Sequence, residues 1–195
     1  MKKTILIIVI LVIAVGATVG IYQWRESRSE NKEIISSFNF SSYRVYFNSK
    51  YGFSLEYPKD WYVVDKPEFN TVFFSSKEEK LPMGGVPLGA RIELNIIQNP
   101  EGLEPKECIE KNYLQNLKQE IIKEEKITIG GRKAIKVTVA PRTGPVKEGP
   151  PVIVCLAMND YIIQINYTGR DTGLKSGYFG NLKNLEHFLS SFKFD

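Results

Sequence analysis

Histidine is almost missing from this chain of 195 residues: His187 stands alone. That scarcity excludes a zinc site built on several histidines and a hydrolytic triad. Cysteine is nearly as rare, with only Cys108 and Cys155, too few for a small disulfide framework. Residues 1–25 contain no acid. No P-loop, dinucleotide fingerprint or EF-hand spacing occurs, and Asp171-Thr172-Gly173 lacks the further acids of a calcium loop. The paired acids Glu78-Glu79 and Glu124-Glu125 sit among lysines, the composition of a solvated surface. These absences lead us to expect no catalytic set, no metal and no cofactor.

What the chain does have is an uneven distribution of apolar residues. Residues 5–22 form 18 consecutive positions without a charge, of which 15 are aliphatic, aromatic or alanine. A soluble core helix is amphipathic, whereas this run is apolar all round, which argues against a purely cytosolic protein. At about 1.5 Å per residue it rises roughly 27 Å, close to the hydrocarbon thickness of a bilayer. A cleavable signal has a shorter apolar run; Ala14-Val15-Gly16 offers a small-x-small site, but inside the run. We therefore expect an uncleaved anchor from Ile5 to Tyr22, with a cleaved signal as the alternative. Tyr22 and Trp24 then fall where interfacial aromatics are favoured. Lys2, Lys3 and the terminal amine point to an N-inside orientation, a single-pass cell-membrane protein with its C-terminal domain outside the cytoplasm. No cysteine lies near the run, so a lipid-modified N-terminal cysteine is excluded. Gly16 and Gly20 have the spacing of a close-packed helix pair, a weak signal for a homodimer; tolerated small residues explain them as simply.

The charge divides in the same way. Of the net +4, Lys2, Lys3 and Arg25 supply three charges, leaving 23 basic against 22 acidic residues. The remainder is nearly neutral and gives no support to nucleic-acid binding. Residues 23–42 are polar and mixed in sign, a stalk, and the globular domain is placed at 43–195.

Within the domain, Phe53, Leu55 and Tyr57 alternate with Ser54 and Glu56, and Ile92, Leu94 and Ile96 alternate with Arg91, Glu93 and Asn95, the period of half-buried strands. Gly130-Gly131 between Lys126–Ile129 and Arg132–Val139 marks a tight hairpin. A second hairpin joins Val152–Met158 to Tyr161–Thr168 through Asn159-Asp160, and further strands cover Arg44–Phe47, Tyr62–Val64 and Thr71–Phe74. Ile109, Tyr113, Leu114 and Leu117 lie on one helical face between Pro105 and Glu120. Leu182, Leu185, Phe188, Leu189 and Phe192 do the same near the C-terminus, with Asn181 placed to cap. Hairpins with separate helices predict an α+β fold with a central, mainly antiparallel β-sheet flanked by helices, preceded by one N-terminal transmembrane helix.

The segment Tyr51–Trp61 reads YGFSLEYPKDW, and the chain closes on FLSSFKF, Phe188–Phe194. Both resemble the opening and closing signatures of the PsbP-like family, which includes a photosystem II extrinsic protein and bacterial surface relatives. The resemblance covers about Tyr43 to Asp195. It implies an α/β/α sandwich, shared with a small Ran-binding nuclear-import factor. These residues have a structural role: Phe53, Leu55 and Tyr57 face the core, Pro58 stops the ladder, and Trp61 folds back as a plug. No residue matches a manganese, calcium or chloride contact, so a photosystem II-type accessory role rests on fold analogy alone.

Two cysteines in an oxidising exterior suggest a bridge. Cys108 and Cys155 are 47 positions apart, and closing that loop stabilises by roughly 3 to 4 kcal/mol in the chain-entropy description. Helical phasing favours two free thiols instead, because Cys108 points about 165° from the Ile109, Tyr113 and Leu117 stripe. A helix starting after Cys108 removes that objection. His187 is read as an isolated surface residue. Candidate binding loops carry Met83, then Arg142 and Lys147, then Arg170, Lys175, Tyr178 and Phe179, since loops on a rigid scaffold are where binding groups gather. The function expected is a non-catalytic, membrane-anchored binding or assembly domain with an unidentified envelope protein or ligand as partner. Its rival is an envelope carrier or enzyme using a pocket under the terminal helix.

Overall fold

The structure, a computed structural model, describes residues 42–78, 89–111, 120–141, 147–170 and 177–195. Contacts divide the chain into Met1–Ser42 and Tyr43–Asp195, and every described element belongs to the second unit. The anchor residues Ile5, Tyr22 and Trp24, the Gly16 and Gly20 pair and the stalk lie outside the described residues. Among the described residues no helix is long and apolar enough to cross a membrane.

Among the described residues, ten strands form two antiparallel sheets. The larger has the order β3 (Tyr62–Lys66), β4 (Thr71–Ser75), β5 (Ala90–Gln98), β9 (Tyr161–Gly169), β8 (Val152–Ala157), β7 (Arg132–Val139) and β6 (Ile121–Ile129). The smaller pairs β1 (Tyr43–Asn48) and the two-residue β10 (Lys193–Phe194) on either side of β2 (Phe53–Pro58). The expected central, mainly antiparallel sheet is the seven-stranded one, and the three-stranded sheet is an addition to it. The YGFSLEYPKDW strand belongs to the small sheet, because Pro58 ends its ladder and Trp61 turns back with its amide on the Pro58 carbonyl at 3.0 Å, burying its indole in the core.

Alternation assigns the two faces of the large sheet to two cores. Val152, Val154 and Leu156 of β8 point into one, with Ile163, Ile165 and Tyr167 of β9. Ile153 and Cys155 point into the other, with Ile135, Val137, Val139 and Ile162. The first core is closed by the small sheet and by helix α2 (Leu182–Ser190), which buries Leu185, Phe188 and Leu189 at i, i+3, i+4 spacing. The second is closed by helix α1 (Pro105–Ile109), which buries Pro105, Cys108 and Ile109.

That burial overturns the expectation of free thiols. Positions 105, 108 and 109 are themselves one face of a helix, and α1 turns them onto β7 and β8; Tyr113, Leu114 and Leu117 lie outside the described residues. Cys108 and Cys155 are fully buried and joined as a disulfide, with Cα atoms 6.4 Å apart. Two smaller expectations also change. β6 starts at Ile121 rather than Lys126, because lysines and glutamates fill its outer positions, where Glu125 pairs with Lys123 at 3.0 Å and Lys136 at 3.5 Å. Asn181 precedes α2 but caps no backbone amide; its side chain donates to the Gly177 carbonyl at 2.9 Å and accepts from Asn184 at 2.8 Å. The Gly130-Gly131 turn is as read, with φ of 52° and 80°, the left-handed pair of a tight primed hairpin.

Candidate functional site

The hairpin of the small sheet overhangs the large one and encloses a cleft of about 200 Å³. One wall is Tyr46 to Tyr51, the end of β1 and its turn. The other is Asp65 of β3, Pro67 and Asn70 of the following turn, Val72 of β4 and Ile96 of β5. Asn70 holds a left-handed φ of 49°, a conformation asparagine tolerates better than most residues. Its amide donates to the Pro67 carbonyl at 3.2 Å and its carbonyl accepts from Ile96 at 2.9 Å, so the turn is fixed from both ends.

Two polar relays line the cleft. The Tyr46 hydroxyl donates to Asp65 Oδ2 at 2.9 Å and accepts from Asn48 Nδ2 at 3.3 Å. Asn70 Oδ1 accepts from Lys50 Nζ at 3.0 Å and from the Tyr51 hydroxyl at 3.1 Å. Tyr51 is braced from below, its carbonyl accepting from the Tyr161 hydroxyl at 3.1 Å and its ring 5.1 Å from that of Tyr161. At the rim Phe47 is 58% exposed. A wider groove of about 620 Å³ runs between α1 and the β6–β7 hairpin, but its lysines and glutamates interleave, and Lys106 pairs with Glu124 at 3.8 Å.

The residues singled out from the sequence are placed elsewhere. Met83, Arg142 and Lys175 lie outside the described residues. Lys147 and Phe179 are exposed and Arg170 is half-buried, gathered at the Ala90 end of β5, away from the cleft at Ile96. Tyr178 is corrected: it is 3% exposed and therefore part of the core. Its ring lies where any side chain at residue 149 would stand, 2.1 Å from an ideal Cβ, and its hydroxyl donates to the Pro150 carbonyl at 2.5 Å. Only a glycine at 149 leaves that space. His187 is not isolated either, since Nε2 meets Glu56 Oε2 at 2.8 Å and the ring stacks on Tyr43 at 3.7 Å. None of the cleft's side chains was singled out as a site, although Tyr51 opens the family motif. A turn of Asn48-Ser49-Lys50 next to aromatic residues was the available signal.

A profile of the family described as PsbP-like protein matches residues 4–194, nearly the whole chain. The chain belongs to the PsbP-like family. Solved structures agree with that fold. The PsbP-like chain aligns with cyanobacterial PsbP, CyanoP, of Synechocystis at a TM-score of 0.55 and 13% identity, covering 81% of this chain and 95% of that one. It aligns with the Ran-binding protein Mog1p of Saccharomyces cerevisiae at 0.54 and 9% identity, covering 78% and 95%. Likenesses at this identity concern the fold alone. No curated protein sequence matches.

The tyrosines of this PsbP-like domain report on its packing. Partial burial, then the hydrogen bond and charge of Asp65, push the Tyr46 hydroxyl up to about 12, against a smaller opposing effect of Asn48. Burial alone takes Tyr178 up to about 12, and burial beside Tyr178 raises Tyr167 as well. A raised phenol keeps its proton in the folded state after the unfolded chain has lost it. The associated stability is complete below pH 10 and is lost as pH rises toward 12. We expect these three of the ten tyrosines to stay protonated through the main tyrosinate absorbance rise, ionising with unfolding. Ionisation of all ten on one curve centred near pH 10, with circular dichroism unchanged, would refute this.

Proposed function

We propose that the chain is a single-pass membrane protein whose PsbP-like domain lies outside the cytoplasm and binds a component of the envelope without catalysing a reaction. The observation that carries the reading is the buried Cys108–Cys155 bridge. Structural disulfides persist in oxidising compartments, and the apolar run at 5–22 offers a route to one. The family match starts at residue 4 and so spans that run as well as the domain. A nearly neutral domain is suited to display at an anionic membrane surface, where a basic one would be drawn down onto it.

Chemistry at the cleft favours binding over catalysis. Its lining contains no histidine or cysteine, Lys50 is held on Asn70, and a Tyr46 hydroxyl pushed up to about 12 is a poor base at neutral pH. A pocket under the terminal helix, the site of the rival carrier reading, is filled by Leu185, Phe188, Leu189 and Phe192; any ligand function moves to the cleft beside β1.

Protease added to intact cells stripped of any outer membrane is expected to digest the domain while a cytoplasmic marker survives. Protection until the membrane is permeabilised would reverse the topology. Crosslinking in the native membrane is expected to trap one stoichiometric envelope component.

A further inference from the structure

The cleft's unused hydrogen-bonding capacity defines what it can hold. Asp65 Oδ2 is engaged by Tyr46, while Asp65 Oδ1 has no partner among the described residues. Lys50 uses one of its three N–H bonds within hydrogen-bond reach, on Asn70 Oδ1. The Asn70 side-chain Nδ2 donates to no described residue, and the Ser49 hydroxyl is likewise open. Donors and acceptors thus alternate within one small space, with one positive and one negative charge that cancel. The Tyr51 ring carries the Lys50 ammonium 4.9 Å from its centre, and Phe47, paired with Ser54, alternates to the outer face of the small sheet, so the apolar lining beside them comes from Pro67, Val72 and Ile96.

We propose that this cleft binds a neutral saccharide unit, and the proposal rests on reading the domain as a binding module. A hydroxyl both donates and accepts, so vicinal hydroxyls satisfy Asp65, Lys50, Asn70 and Ser49 together, while the C–H groups of a sugar ring meet the apolar lining of Pro67, Val72 and Ile96. An anion meets the Asp65 carboxylate, a cation meets Lys50, and an apolar ligand leaves four polar groups unsatisfied at a cost. At about 200 Å³ the cleft lies below the roughly 300–1,000 Å³ of drug-sized sites, so it admits one ring of a glycan. The fixed Asn70 turn and the braced Tyr51 present these groups before the ligand arrives, which limits the entropy lost on binding.

The test titrates the isotope-labelled full chain in micelles with chitobiose, cellobiose, maltose and mannobiose at millimolar concentration, following backbone amides by NMR. At least one disaccharide is expected to shift Tyr46–Tyr51 and Asp65–Asn70 saturably. Asn70→Gly keeps the left-handed backbone accessible and removes the amide, and is expected to weaken binding about tenfold, one good hydrogen bond. Ser49→Ala, at an exposed turn position, leaves the fold intact and is expected to weaken binding several-fold. Competition by purified wall polysaccharide of the same sugar identifies an envelope glycan, and its failure identifies a free sugar; both sustain the saccharide site. Silence of those amides toward every disaccharide overturns the proposal, as does a stronger response to glycine betaine or sulfate, or binding unchanged in both variants. A domain found outside the cell yet silent toward sugars sinks this inference alone, and a sugar-binding domain found inside sinks the topology alone.

Discussion

Replacing both Cys108 and Cys155 by alanine is expected to lower the unfolding free energy by about 4 kcal/mol. The bridge closes a loop of 47 positions that contains β6, β7 and part of β8 and ties them to α1. Chain entropy sets the magnitude, since the cross-link removes from the unfolded ensemble conformations the native state never visits. α1 has a second reason to depend on it. A helix of five residues, Pro105–Ile109, is far below the roughly 12–15 residues at which an isolated helix holds in water, so its place on the sheet relies on packing by Cys108 and Ile109 and on the covalent tie. For a domain of this size the loss corresponds to roughly 8–16 °C in Tm. Urea unfolding of the double variant, beside wild type reduced in denaturant and refolded with the thiols blocked, separates the cross-link from the lost sulfur volume. An unchanged midpoint in both, or two thiols titrating in the unreduced denatured protein, would refute the bridge as a source of stability.

The strands that carry a strong local period were legible. Gly130-Gly131 fixes its hairpin through positive φ, the alternation of Ile92, Leu94 and Ile96 fixes the inner face of β5, and YGFSLEYPKDW fixes the small-sheet strand and the buried Trp61. The cleft was not legible, and the reason is its geometry. The bonds Tyr46–Asp65, Lys50–Asn70 and Tyr51–Asn70 span 19 or 20 positions, and form only when the small sheet folds over the large one. In sequence each partner is an ordinary polar residue of a turn or strand end. Tyr178 misled for the opposite reason. Glycines around it suggest an exposed loop, but it is Gly149, 29 positions earlier in the chain, that makes room for its ring. The Cys108 pairing was hidden by the choice of helical face, since a stripe placed on Ile109, Tyr113 and Leu117 discards Pro105 and Cys108, the residues that meet β7 and β8.

Phe53→Ala is expected to cost about 3–5 kcal/mol, the range for a buried aromatic truncated to alanine, and to reach the cleft as well. Phe53 is fully buried in the central strand of the small sheet, opposite Asn48 on one side and Phe194 on the other. Its ring lies 5.6 Å from Phe192, 6.3 Å from Phe194 and 6.4 Å from Tyr46. It therefore joins the C-terminal segment after α2 to the hairpin that walls the cleft. Removing it leaves a cavity between two sheets that cannot both collapse, because each is held by its own ladder. Tyr46 then loses an apolar neighbour of its ring, and since burial is the largest cause of its raised value, the phenol is expected to ionise closer to pH 10 than to 12. Phe53→Leu retains most of the volume and is expected to cost less than half as much, with Tyr46 still raised. Urea midpoints and tyrosinate absorbance measured on both variants separate the outcomes. A large loss of stability with Tyr46 unmoved would mean that Asp65 and the edge of Phe74, which meets the Tyr46 ring at 5.6 Å, hold the cleft wall without help from the core of the small sheet.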